Sequence, residues 1–326
     1  MRLRLAPQET RIDFFRFVPV TFGASVLGIV ASIVLLFAVG LNFGIDFRGG
    51  SMIMTETPEE VEIATYRDVL SSLDIGDVTV TEISDPAAEL TGAAQHSAMI
   101  RIEQQGDDPA VQQGTINLVV DELTATIPGL TILATESVGA TVSGELVQAG
   151  ILAVTLAIAA VLFYIWLRFE WQFSLGAVAA LVHDVILTMG VFALVGLEFN
   201  LAIVAAILTI VGYSLNDTVV VFDRVRENLK RYKKMELKEV LNLSINETLS
   251  RTLMTSVTTL IALISLYVLG GEVIRGFTFA MIWGVVVGTY SSIFVASAVL
   301  LWLGVKRDWS KEGDGGAGTQ FANIDA

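Results

Sequence analysis

The chain has 326 residues, 53% hydrophobic and only 17% charged, with a strongly positive mean hydropathy. That balance excludes an ordinary soluble globule and indicates an integral membrane protein with one soluble insertion. A net charge of −14 argues against nucleic-acid binding, and the lack of cysteine excludes disulfides, thiolate catalysis and cysteine-held metal.

The first apolar run, 17–40, follows Arg2, Arg4, Arg11 and Arg16. It exceeds the roughly 7–15 residues of a cleavable signal core and reads as an anchored helix. Five further runs, 146–167, 173–195, 200–223, 251–269 and 277–304, each approach the roughly 20 residues that cross a bilayer as a helix. Residues 1–16 are basic, as are Arg168, the seven lysines and arginines from Arg224 to Lys238, and Lys306, Arg307 and Lys311. The positive-inside rule makes all of these cytoplasmic, with both termini inside and 41–145 periplasmic. The connection 224–250 is basic and amphipathic and is expected to lie along the headgroups, against membrane lipid. The glycine-rich tail 305–326 is expected to be disordered.

Residues 41–145 hold eighteen acidic residues against Arg48, Arg67 and Arg101, so they carry essentially the whole negative charge. SMIMTET alternates as a strand does, and PEEVEIATYRDVLSSL has helical spacing. DVTVTEI and SAMIRIEQ alternate again, DPAVQQGTINLVVDELTATIPG is a helix opened by Asp108-Pro109, and GLTILATESVG is a closing strand. The order βαββαβ predicts an α+β, ferredoxin-like sandwich between the first and second of six membrane helices. His96, its lone histidine, reads as a surface residue and not a metal ligand. Ahead of this domain, the two glycines of GIDFRGG, Gly49 and Gly50, permit positive φ and a sharp turn out of the membrane helix.

Two spans carry acids at depth, Asp184 and Asp217, each costing on the order of 2.5–3.5 kcal/mol at a helix centre. Such groups are kept where they face protein or water and move charge or substrate. Tyr213 and Ser214 fall on the Asp217 face, whereas Asp223-Arg224 marks the cytoplasmic interface. On the fifth span Arg251, Thr255, Thr258 and Thr259 form a polar stripe from which Arg251 can reach Asp217. His183 adjoins Asp184, but neighbouring helical residues point about 100° apart and are not expected to face each other. Asp184 is weighed between direct proton passage and buried hydrogen bonding. Gly284 and Gly288 form a small-residue surface for close helix contact, with a partner among the options.

GIDFRGG, VGATVSGEL, GYSLNDTVVVFDRVREN and ETLSRTLMTSVTTL resemble the motifs of the SecD/SecF family of protein-export membrane proteins, within the RND superfamily. The similarity covers residues 12–305 and is nearest to the SecF members. It implies pairing with SecD and association with the SecYEG channel and its accessory Sec proteins. It also implies use of the proton-motive force, without cofactor, metal or covalent catalysis, to promote late steps in export of unfolded polypeptides across the bacterial inner membrane. Asp217 and Arg251, with Asn216 and Asp184, are the expected proton relay. Phe47, Arg48, Gly49, Gly50, Asp223, Arg224, Gly284 and Gly288 are the expected interface or hinge positions. Ala140 stands where many members have proline. The competing classes are half of an RND-type small-molecule exporter, a non-catalytic scaffold of the translocon, and an intramembrane aspartyl protease. The last lacks a Gly-x-Gly-Asp sequence around either acid.

Overall fold

A backbone in hydrocarbon must satisfy its own hydrogen bonds, so long apolar runs close into helices. The computed structural model describes residues 10–83, 96–106 and 108–305, and six of its helices are long and apolar enough to cross a membrane. The first is α1, Val18–Ala38, preceded by a single 3-10 turn at Phe14–Arg16. Arg2, Arg4, Lys306, Arg307, Lys311 and the expected disordered tail lie outside the described residues.

After α1 the chain forms a two-residue strand, β1 (Asn42–Phe43), and one helical turn, α2 (Ile45–Arg48). Gly49 and Gly50, at φ +74° and +117°, then turn it into β2 (Gly50–Thr57). A side chain at Gly50 would collide with the Ile102 carbonyl, so close backbone approach as well as φ demands glycine there. There follow α3 (Ile63–Ser71), β3 (Val78–Ile83), β4 (His96–Ile102), α4 (Pro109–Thr126) and β5 (Thr131–Val138). The four strands form an antiparallel sheet in the order β3-β4-β2-β5. Along β2, Ser51, Ile53, Thr55 and Thr57 are buried and the residues between them are not. Ile53 and Ile100 meet Tyr66 and Leu70 of α3 and Val119 and Leu123 of α4 in one apolar core. The first helix is shorter than its sequence pattern, because Pro58-Glu59-Glu60 stays outside it and Glu62 is its N-cap.

The remaining helices are α5 (Ala140–Arg168), α6 (Trp171–Val195), α7 (Leu201–Arg231), α8 (Leu237–Leu269) and α9 (Glu272–Ser291). A two-residue strand, β6 (Glu198–Phe199), separates α6 from α7, and α9 passes through a π-helical turn at Ser292–Ala296 into α10 (Ser297–Leu303). Burial divides the spans: α6, α7 and the α9–α10 rod are inner helices, whereas α1, α5 and α8 are largely exposed.

The expected headgroup segment 224–250 is instead almost wholly helical. α7 runs to Arg231, α8 begins at Leu237, and Val225 and Leu229 pack with Val240, Leu241 and Ile245. Its apolar face is consumed by this hairpin and so is unavailable to lipid. The amino-terminal segment closes on the same hairpin: the backbone N–H groups of Ile12 and Phe14 donate to Asn246 and Asn242 at 2.8 and 2.9 Å.

α5 starts six residues earlier than hydropathy suggested, with Gly139 as N-cap at φ −77°, ψ 158° and Ala140 as its first residue. That is the helix position where proline fits best, and the residue before it is already extended, as proline requires. Ala140→Pro is expected to leave the fold intact and raise stability by about 0.4–1 kcal/mol through the unfolded chain, read as a higher thermal unfolding midpoint of the full chain in detergent.

Candidate functional site

The inner helix α7 carries the acid on which the sequence reading rests. Asp217 is 2% exposed, and among the described residues its Oδ2 accepts no hydrogen bond. Leaving a buried polar atom unpaired costs about 1–3 kcal/mol, more if it is charged. Arg251 on α8 is the cation whose field reaches this carboxyl, but no ion pair joins them. Arg251 itself is exposed, and the buried Thr252 hydroxyl beside it has no hydrogen-bond partner among the described residues. Asn216 is exposed on the adjoining face of α7. Tyr213 donates toward Thr259 on α8 at 3.4 Å, whereas Ser214 turns away from Asp217 to another acid.

That other acid is Asp184 on α6. Its Oδ2 accepts from Ser214 of α7 at 2.6 Å and from Ser291 of α9 at 2.8 Å, while its Oδ1 lies 2.8 Å from His183 Nδ1. The expectation that His183 and Asp184 do not face each other is therefore incorrect. Their Cβ directions diverge, but both side chains fold back across the gap. His183 Nε2 continues to Ser25 Oγ of α1 at 3.1 Å, Ser25 meets Tyr290 Oη of α9 at 2.8 Å, and Tyr290 donates to the Thr21 carbonyl at 2.6 Å. Four helices are thus joined through one buried polar cluster. Sequence reasoning missed Ser25 and Tyr290; for Ser25 the available signal was a pair of serines, Ser25 and Ser32, in an otherwise largely apolar span.

Gly284 and Gly288 bring α9 against α7. A Cβ at Gly284 would collide with Ile210, and one at Gly288 would lie 3.0 Å from Ser214 Cβ. This small-residue face is occupied within the chain, so it is not the surface left for a partner. The close approach also places Ser291, one turn beyond Gly288, within reach of Asp184.

Each end of α7 is tied. At its start, Asn200 caps the Ile203 N–H and Asp46 Oδ2, from the GIDFRGG turn, accepts from the Leu201 N–H at 2.8 Å. β1 pairs in parallel with β6, and Phe43, Phe47 and Phe199 pack edge to face or tilted. Arg101 of β4 forms an ion pair with Glu198 of β6. The soluble domain is therefore held to the membrane helices through the α6–α7 connection as well as through its two covalent links. At its other end, Asp223 pairs with Arg168 at 3.2 Å and Arg224 with Glu247 of α8 at 2.7 Å, so these neighbours serve different helices.

Six apolar helices enclosing two buried acids define a multi-pass membrane protein organised around intramembrane ionisable groups. The chain belongs to the SecD/SecF family: the description "Protein export membrane protein SecD/SecF, C-terminal" matches residues 119–306, and the SecD/SecF GG motif matches 34–53. It is 56% identical to a protein translocase subunit SecF of Cereibacter sphaeroides, over 100% of this chain and 99% of that one. It is 52% identical to a SecF of Rhodobacter capsulatus, over 95% and 94%. A crystal structure of SecDF, a translocon-associated membrane protein from Thermus thermophilus, superposes with a TM-score of 0.79 at 34% identity, covering 93% of this chain. The chain spans only 39% of the length of that SecDF and 40% of a fused SecDF of Brucella abortus.

Glu198 is the titrating member of the domain-to-membrane joint. Burial raises its pKa above the ordinary 4.5, Arg101 opposes this, and Asp46 and Glu136 add to the rise. A carboxyl held above its unfolded value contributes stability fully present below about pH 4.5, and that contribution is lost as pH rises through the folded value. Glu198→Gln keeps an acceptor for Arg101 and removes the charge. The thermal midpoint of the natural chain is expected to fall between pH 5 and pH 7 relative to that variant; parallel midpoints would exclude Glu198 as the cause.

Proposed function

We propose that this protein acts as the SecF-type subunit of the Sec export machinery, working with SecD and the SecYEG channel to convert an ion gradient into late-stage movement of exported polypeptides. The observation that carries this reading is the buried Asp217 carboxyl, one oxygen unpartnered, in the field of Arg251 on the next helix. The sequence identity to SecF proteins along the whole chain supports it.

In this reading the ferredoxin-like sandwich lies on the periplasmic side and both termini are cytoplasmic. Asp217 alternately takes and releases a proton, with Arg251, Asn216 and Asp184 as the rest of the relay. Arg251 and the apolar residues beside it on α8 are exposed, which a lone chain in lipid does not tolerate for a guanidinium. A SecD helix covering that face would remove Arg251 from lipid and complete the path to Asp217. Motion at Asp217 then reaches the exterior domain along α7, whose first turn is held by Asp46 of the GIDFRGG turn and whose preceding strand is held by Arg101. Gly49 and Gly50, beside Phe47 and Arg48, are the hinge; Asp223 and Arg224 anchor the inner end. One proton crossing about 100 mV releases about 2.3 kcal/mol, enough to bias a two-state domain roughly fiftyfold.

The decisive substitution is Asp217→Asn in the SecD-containing complex reconstituted with the channel. Export is expected to lose its response to the proton gradient while ATP-driven insertion persists. Full gradient dependence in the variant would remove Asp217 from the relay.

A further inference from the structure

We infer that His183 and Asp184 together hold one proton, forming a second proton-binding site in the membrane interior. Each hydroxyl along the chain of contacts from Thr21 to His183 has one hydrogen to give, and the direction of donation is set at the Thr21 end. The Thr21 carbonyl can only accept, so the 2.6 Å contact commits the single proton of Tyr290 to it. Tyr290 Oη must then accept from Ser25 at 2.8 Å, which uses the only proton of Ser25. Ser25 has none left for His183, so the 3.1 Å contact requires Nε2–H of His183 to donate to Ser25 Oγ.

With Nε2 protonated, neutral His183 would present a bare Nδ1 to Asp184 Oδ1 at 2.8 Å. Two acceptors at that distance repel unless a proton lies between them. It resides on Nδ1, giving imidazolium and carboxylate, or on Oδ1, giving imidazole and carboxylic acid. Either way the pair carries no net charge, which suits two side chains each 1% exposed in an apolar interior. Ser214 and Ser291 donate to the other Asp184 oxygen, completing its shell without a further cation. The Tyr290 ring lies alongside the imidazole, with centroids 6.0 Å apart and planes 29° from parallel.

The site deepens the proposed relay, on which only its part in transport rests; the proton itself stands on the contacts. It links the proton to α1, α6, α7 and α9, and through Ser214 to the helix turn that carries Asp217. Asp184 gains a partner that neither composition nor spacing supplied.

The test uses the full chain in lipid nanodiscs with ¹⁵N-labelled histidine. The sequence has only two histidines, so His96→Gln leaves His183 as the one signal. Near neutral pH, Nε2 is expected to be protonated. In addition, either Nδ1 is protonated or infrared spectra show a carboxylic acid band that Asp184→Asn abolishes. In Tyr290→Phe, Ser25 is released to donate to His183, and Nε2 is expected to shift to the unprotonated range. A bare Nε2 in the unsubstituted Tyr290 background, or Nε2–H with bare Nδ1 and no Asp184-dependent acid band, would overturn the inference. These readouts are independent of export, so they can fail while Asp217 remains essential, and the reverse.

Discussion

Hydrocarbon supplies no hydrogen-bond partners, so every polar atom that the fold places among the spans has to be answered by another part of the protein. Asp184 is where this constraint acts most strongly. Its two oxygens draw in Ser214 and Ser291 from helices on either side and His183 from its own, and His183 extends the demand to Ser25 and Tyr290. Net worth per bond is about 0.5–1.5 kcal/mol, but an unmade one costs more. The cluster therefore specifies which faces of α1, α6, α7 and α9 meet. The glycines of α9 serve the same end, since only a close approach at Gly284 and Gly288 brings Ser291 within reach.

Asp217 shows the opposite solution. It is buried to nearly the same degree on the neighbouring helix α7, yet one oxygen is left unanswered among the described residues and Arg251 stands off on an exposed helix face. A satisfied acid fixes structure, whereas an unsatisfied one stores free energy that a proton or a moving guanidinium can release. The two acids thus differ in how the fold answers them: Asp184 is bonded by Ser214, Ser291 and His183, whereas Asp217 keeps an oxygen without a partner among the described residues. α7 is the element common to both, and its outer end is fastened to the soluble domain by backbone and side-chain bonds at Asp46 and Glu198. That fastening explains why the α6–α7 connection, only five residues long, contains a strand and an ion pair instead of a plain turn.

Much of this architecture was legible from periodicity. The six spans, the strand and helix order of the soluble domain, the glycine turn at Gly49-Gly50 and the burial of Asp217 follow from hydropathy, alternation and the steric freedom of glycine, all properties of neighbouring residues. Three features were not legible. Segment 224–250 reads as a surface-seeking amphipathic stretch because its apolar residues have helical spacing, and that spacing does not say whether lipid or another helix covers them; α7 and α8 cover each other. The glycine face of α9 has the pattern of an interface without naming the occupant, which is Ile210 and Ser214 of the same chain. The His183–Asp184 contact depends on rotamers that a Cβ direction leaves open.

The amino-acid sequence by itself determined the helices, the order of the soluble elements and which acids would be buried, since local backbone and solvent preferences act over a few residues. Only the tertiary structure decided which partners those acids meet. Ser25 and His183 are 158 positions apart, Asp184 and Ser291 are 107, and Asp46 and Leu201 are 155. Contacts at such separations arise from helix packing, where shape and unsatisfied polar atoms choose among many faces of equal hydropathy.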